Sequence, residues 1–233
     1  MTAVAVNSRP DVTRSGVGVV KVSTWDVGSP EAQRAAVDAI EKAWTSREWP
    51  ERGPLSYSVY VGEDGRTLLH YSQWADDEAH RAFFRQGRDA RNDEIDAAVP
   101  GVRRLGLNSY ELYRSSVTEG DDRLPGSVAV VEVDFDAPDP VRAREWVDTV
   151  FAALGATSGE GGRDGALSAH FHVGLDGSRA LNFAEWADAA SHAAMLDAPG
   201  ETPEEWRRVQ DFPGLTHSQV RRFTPALSLS AEV

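Results

Sequence analysis

In the run Ala180-Leu-Asn182-Phe-Ala184-Glu-Trp186 an amide and an indole stand four residues apart, and His192 follows six residues later. On a β-strand, period-2 alternation puts Ala180, Asn182, Ala184 and Trp186 on one face and Leu181 and Phe183 on the other. An amide and an indole N–H above a gap left by two alanines suit an oxygen-rich aromatic ligand, with hydrogen bonds to oxyanions that develop on it. Plain core packing, with the Asn satisfied by backbone, is the competing account of the strand alone. His192 shifts the balance. Met195 and Leu196 follow it at helical spacing, which places it on the core-facing side of a helix. An imidazole, with an ordinary pKa of about 6.5, is a candidate general base. Asn182, Trp186 and His192 are the candidate catalytic residues.

A related pattern occurs earlier. Leu68-Leu-His70-Tyr-Ser72-Gln-Trp74 has Trp at the same place and His where the other run has Asn, and His80 stands six residues after Trp74 beside Phe83 and Phe84. His70, Trp74 and His80 are candidate substrate contacts. Ala180 and Ala184 stand where this run has Leu68 and Ser72, so the larger cavity, and most of the activity, is expected in the second half. His170 and His172 share a strand face and are candidates to line the substrate pocket. With His217 they also suggest a metal site, but no acidic partner accompanies them at ligand spacing, and Ser58 and Tyr60 take their places in the earlier run. No metal site is assigned.

The two runs belong to an internal duplication. The segment starting at Leu55 aligns with the one starting at Leu167 at a constant shift of 112, sharing Leu-Ser, Val-Gly, Asp-Gly, Trp-Ala-Asp and the later His. VVKV at Val19 matches VVEV at Val130 with a shift of 111, and Pro100-Gly101 matches Pro213-Gly214 with a shift of 113. Each half predicts the same elements. A β-branched strand precedes a helix opened by a capping side chain and Pro, at Ser29-Pro30 and Asp139-Pro140. An Asp-Gly hairpin follows, at Asp64-Gly65 and Asp176-Gly177. Then come a helix capped by Asp76 or Asp188, a further helical stretch, and a closing strand over Val102 to Tyr113 or Leu215 to Phe223. The order βαββαβ is a ferredoxin-like unit. Leu69, Tyr71, Leu181 and Phe183 would leave the helix-free sheet face too apolar for water, so the two units are expected to pack sheet to sheet as an intramolecular α+β barrel. The expected organisation is a flexible tail over 1–16, repeats over 17–115 and 126–224 joined by a polar linker over 116–125, and a C-terminal tail over 225–233.

The ferredoxin-like unit, the Asn-x-x-x-Trp of Asn182 and Trp186, and a polar helix residue six further on resemble the antibiotic biosynthesis monooxygenase family, across both repeats. The resemblance implies a dimeric α+β barrel, here made within one chain, and an activity like that of cofactor-free members that oxidise polyketide anthrones to quinones with molecular oxygen. It implies no cofactor and a small aromatic substrate from secondary metabolism. In such members an Arg in the segment after the second helix helps hold the substrate, for which Arg207 and Arg208 are the nearest candidates, Arg208 being the one chosen. Haem-degrading relatives carry a His ten residues after the Trp; here those positions are Phe84 and Leu196. A polyketide cyclase of the same fold, or a non-catalytic ligand-binding module, are the alternative readings.

Composition narrows the field further. The 233 residues carry a net charge of −13, which repels phosphate backbones and argues against nucleic acid. Cysteine is absent, excluding disulfides, thiolate catalysis, Cys-ligated zinc and iron-sulfur clusters. The first residues lack a signal-peptide core and no apolar run is long enough to span a bilayer, so a cytoplasmic protein without membrane contact is expected. A homodimer beyond the internal pseudo-dimer remains open. The glycine-rich stretch over 155–165 follows a helix and leads into a strand, the reverse of a phosphate loop, and is expected to be a flexible connection.

Overall fold

The computed structural model describes residues 3–86, 88–156, 164–197 and 202–232. Most of the glycine-rich connection, residues 157–163, lies outside the described residues. After a short β1 (Val4–Val6), the first repeat runs β2 (Val19–Asp26), α1 (Pro30–Thr45), β3 (Ser56–Gly62), β4 (Thr67–Trp74), α2 (Asp77–Gln86), α3 (Arg88–Ala98) and β5 (Arg103–Val117). The second runs β6 (Ser127–Phe135), α4 (Pro140–Ala156), β7 (Ala166–Gly174), β8 (Arg179–Trp186), α5 (Ala189–Leu196), α6 (Glu204–Gln210) and β9 (Leu215–Ala231). The protein is therefore α+β, with two tandem ferredoxin-like βαββαβ units whose second helix is split in two. No helix among the described residues is long and apolar enough to cross a membrane.

Local chemistry sets the element ends. Ser29 caps α1 by accepting from the Ala32 N–H at 3.2 Å, and Asp139 caps α4 by accepting from Val141 and Arg142 at 3.0 and 3.1 Å. Asp76 and Asp188 cap α2 and α5 in the same way, each at 2.7 Å from the N–H three residues on. Gly65 and Gly177, both at φ 70°, turn the β3–β4 and β7–β8 hairpins, a conformation that costs a residue with a Cβ. The helix-facing side chains then form a core in each repeat. Trp25, Ala36, Ile40, Val59, Leu68 and Ile95 are among those packed in the first. Val133, Ala143, Trp146, Val147, Phe171 and Ala180 are among those in the second.

The chain divides into two compact units, Met1–Ser109 with Phe223–Val233, and Tyr110–Arg222. In the first, the strands run β1, β9, β3, β4, β2, β5; in the second, β5, β7, β8, β6, β9. Both long strands are divided between the units. Tyr110–Val117 of β5 pairs with β7, and Phe223–Ser230 of β9 pairs with β3. Two expected tails are thus corrected. Residues 225–231 continue β9, with Leu227 and Leu229 in the first unit's core. Near the N-terminus, Val4–Val6 pairs with Leu229–Ala231, and the Gln73 side-chain amide donates to the Asp11 and Val12 carbonyls at 2.9 and 3.1 Å. Unpaired strand ends and apolar side chains at both termini explain why neither stays loose.

The repeat register also needs correction. Val19 lies opposite Trp74, and Ser127 opposite Trp186, so the first strands match at a shift of 108, not at the 111 given by VVKV and VVEV. The three-residue difference is odd and inverts the faces. Lys21 stands opposite Ser72 on the helix side and corresponds to Ala129, whereas Glu132 stands opposite Leu181 on the other side.

Candidate functional site

The alternation of β2 and β4 brings Lys21, Ser23 and Trp25 together with His70, Ser72 and Trp74 on the helix side of the first unit. These residues floor a cavity of about 350 Å³. Tyr57 from β3, Trp44 from α1, His80, Phe83 and Phe84 from α2, and Arg91 and Ile95 from α3 form its walls, with Arg104 from β5. Its size and its aromatic lining with a few polar groups are those of a small-molecule site.

His70, 4% exposed, lies with its ring centroid 4.1 Å from that of Trp25 and 5.9 Å from the nearly parallel Tyr57 ring. Its Nδ1 is 2.7 Å from the Tyr57 hydroxyl, and its buried Nε2 has no partner. Burial, aided by the Arg104 charge, lowers its pKa to about 3. The ring is therefore neutral around pH 7, a hydrogen-bonding group and a poor base. His80 meets Trp74 edge to face at 4.9 Å and packs on Phe84 at 4.2 Å. The Trp74 indole donates to Ser72 Oγ at 2.9 Å. Arg91 sits over the Trp44 ring at 4.6 Å and Arg104 over Trp25 at 4.6 Å, as cation–π pairs do.

In the second unit Trp186 and His192 are both buried, with ring centroids 5.0 Å apart. Asn182 shares the strand face of Trp186. The Asn182 Oδ1 and Trp186 Nε1 are buried without a hydrogen-bond partner; for the indole, Ala184 replaces the hydroxyl that Ser72 offers Trp74 in the first repeat. Of the two alanines expected to leave a gap, Ala184 packs with the indole in a cluster with Ala129, Ala166, Ala169 and Met195, and Ala180 belongs to the main core of the repeat. The cavity lined by Lys21, His70 and Trp74 belongs to the first unit.

Three expected substrate contacts fall elsewhere. His170 and His172 lie on the sheet face opposite Asn182 and Trp186, since Ala169, Phe171 and Val173 take the helix side. His170 Nδ1 is 2.9 Å from the Ser115 hydroxyl, and His172 Nδ1 is 3.0 Å from the His170 carbonyl oxygen. Burial lowers the His172 pKa to about 3. Arg208 projects outward from α6 in an ion pair with Glu204, its side chain 66% exposed. Two arginines of the first repeat, Arg91 and Arg104, line its cavity, and Arg91, 9% exposed, lies on a buried stripe with Ile95 and Val99. Its spacing of four from each next apolar residue was the available signal. Lys21 was also missed, although a lysine inside VVKV, one of only two in the chain, was a charge in an otherwise buried strand. Among the described residues, no group of three or more His, Asp or Glu is arranged to hold a metal ion.

No family model matches the sequence, and no curated protein matches it. Solved structures do match. An anthrone oxidase-like protein superposes with a TM-score of 0.67 at 15% identity, covering 97% of this chain and 95% of the other. A protein from Fusobacterium nucleatum described as a candidate monooxygenase gives 0.58 at 14% identity, covering 94% and 96%. A similarly described protein from Lactobacillus acidophilus gives 0.53 at 11%, covering 91% and 96%. At such identities the likeness establishes the fold along nearly the whole chain; chemistry has to be argued from the site.

Proposed function

We propose that the protein is a cofactor-independent monooxygenase that oxidises an electron-rich polycyclic aromatic, of anthrone or hydroquinone type, to a quinone in secondary metabolism. The observation that carries this reading is the aromatic cavity of the first unit, with a neutral His70 in its floor and His80 beside Trp74 in its wall. Removing a proton from an anthrone gives a carbanion conjugated with its oxygen, which can pass one electron to dioxygen. The substrate radical and superoxide then combine to a peroxide. Loss of water leaves the quinone, so one oxygen atom of dioxygen enters the product and the other leaves as water. The substrate supplies the electrons and dioxygen is the co-substrate. In this scheme the aromatic walls hold the planar substrate, His70 Nε2 orients one of its oxygens, and His80 takes the proton.

One observation supports a second working site. The unpartnered Asn182 Oδ1 and Trp186 Nε1 are an acceptor and a donor beside His192, the arrangement a ligand oxygen and hydroxyl would complete. Paired variants apportion the work. His80→Gln should lower kcat at least tenfold if the first cavity is used. Trp186→Phe should lower it by roughly 10²-fold only if the second indole meets a developing oxyanion.

The deciding experiment follows dioxygen uptake with 1,8-dihydroxyanthrone. One dioxygen consumed per quinone formed, with a single labelled atom from ¹⁸O₂ in the product, is expected. The purified protein should be colourless, with uptake unchanged by chelators. Ring closure of a polyketide chain without dioxygen would assign a cyclase, and binding without turnover a ligand-binding module; either outcome overturns the proposal.

A further inference from the structure

The sign of the charge inside the first-unit cavity opposes that of the chain. A protein with net charge −13 lines this cavity with three cations, Lys21, Arg91 and Arg104, and with no carboxylate. Two of the three are engaged with aromatic rings. Lys21 is different: its side chain is 5% exposed, and its Nζ donates to Asp77 Oδ1 at 2.5 Å and to Ser109 Oγ at 2.6 Å. An ammonium has three N–H donors, so one remains without an acceptor from the described residues. Asp77 is shared with Arg81, leaving this corner with two cations for one carboxylate. The second repeat has Ala129 at the equivalent position.

Even with Asp77 as its partner, a lysine charge held in a buried strand adds little stability over an apolar residue of similar volume. We infer that Lys21 is a substrate-contacting residue, and that the cavity takes a phenolic aromatic as its anion, with the free N–H of Lys21 on the phenolate oxygen. This rests on the reading of the cavity as the substrate site and adds the ligand's charge state. A fixed ammonium beside the substrate oxygen makes the electron-rich anion available without a strong base, and it lies where reduced oxygen species would also gather negative charge. The other charged or titratable groups around this corner are Asp77, Arg81, His80, His70, Tyr57, Arg91, Arg104 and its partner Asp96; all stay in place when Lys21 alone is changed.

The test uses 1,8-dihydroxyanthraquinone, which does not turn over and whose absorbance reports its ionisation. Bound to the wild-type protein, its phenol should ionise about 1–3 pH units below the free compound, as beside one opposite charge at contact range. Lys21→Met should remove most of that shift, while Asp77→Asn, which frees the ammonium, should keep or enlarge it. A purely structural pair would make the two variants behave alike. Because Lys21→Met leaves Asp77 half-compensated, the Lys21→Met, Asp77→Asn double variant is measured as well and should show no shift. An unshifted midpoint in the wild type, or the same shift in every folded variant, overturns the role of Lys21 and leaves the cavity reading standing. Failure of the probe to bind any of the proteins overturns both.

Discussion

Two tryptophans at matching places show how one side chain changes the use of its neighbour. Trp74 donates to Ser72, whereas Trp186 faces Ala184 and keeps an unpartnered N–H. Trp74→Phe removes a made hydrogen bond, with a net contribution of about 0.5–1.5 kcal/mol, while Trp186→Phe deletes a buried donor that had none. Thermal melting without ligand should therefore place Trp74→Phe below Trp186→Phe; equal midpoints would mean that the Ser72 bond contributes nothing. The buried histidines make a second prediction. His70 and His172, with pKa values lowered to about 3, stay neutral in the folded chain, while the unfolded chain protonates them near 6.5. The unfolded state thus binds more protons between about pH 6.5 and 3, and stability falls as pH drops through that window, by up to about 1.4 kcal/mol per pH unit for each histidine. His172→Phe should flatten the dependence of the urea midpoint on pH between 7 and 4, and an unchanged slope would show that His172 titrates normally. The residue types of the site were legible in the sequence, since Trp74, His80, Trp186 and His192 stand where the alignment puts them. That the first repeat encloses a cavity was not, because cavity space is set by helix side chains such as Trp44 and Arg91 that no strand pattern displays.

Helix caps, the two Asp-Gly hairpins and the repeated βαββαβ order follow from local rules that act within a few residues, and these are the parts of the fold that the sequence displays most clearly. The matching of the first strands was misread for a physical reason. VVKV and VVEV are both β-branched runs, and any such run fits any other; register comes instead from close contacts at the strand start. Gly18 and Gly126 supply them. A Cβ on Gly18 would lie 2.2 Å from the Ala75 carbonyl oxygen, and one on Gly126 would lie 2.4 Å from that of Ala187. Each glycine also donates its N–H to the carbonyl of the matching tryptophan, at 2.9 and 3.0 Å. Both backbones are therefore pressed together where the third strand ends and the next helix is capped. Gly18→Ala and Gly126→Ala should each destabilise by about 1–3 kcal/mol, the range for overpacking a site that cannot give way. Similar losses in chemical denaturation are expected at the two positions. A neutral effect at Gly126 alone would mean that the second repeat accommodates the methyl by a local shift.

At the scale of the molecule, the duplication is more than two beads on a string, because each unit borrows the end of a strand that began in the other. A boundary drawn through the polar stretch near residue 120 looks natural in composition, yet the hydrogen bonds divide β5 and β9 in mid-strand. Linker composition reports solvation and not pairing, so this part of the architecture left no mark in the sequence. The consequence reaches the cavity. Tyr57 stands on β3, whose outer edge pairs with Phe223–Ser230, so the wall that orients His70 depends on a strand more than 150 residues away. Removing the chain after Phe223 would strip that pairing, expose the backbone donors and acceptors of β3, and take Leu227 and Leu229 out of the first core. Losing two buried leucines corresponds to roughly 2–5 kcal/mol each, comparable in sum to the whole stability of an ordinary domain. The truncated chain should therefore lose the amide-exchange protection of β3 and β4 in the first unit, although the deletion begins within the last strand of the second repeat. Adding the missing segment as a separate peptide should restore part of the protection. If the first unit of the truncated chain stays protected and binds the anthraquinone probe as before, the borrowed strand is dispensable and the two units are independent in energy as well as in sequence.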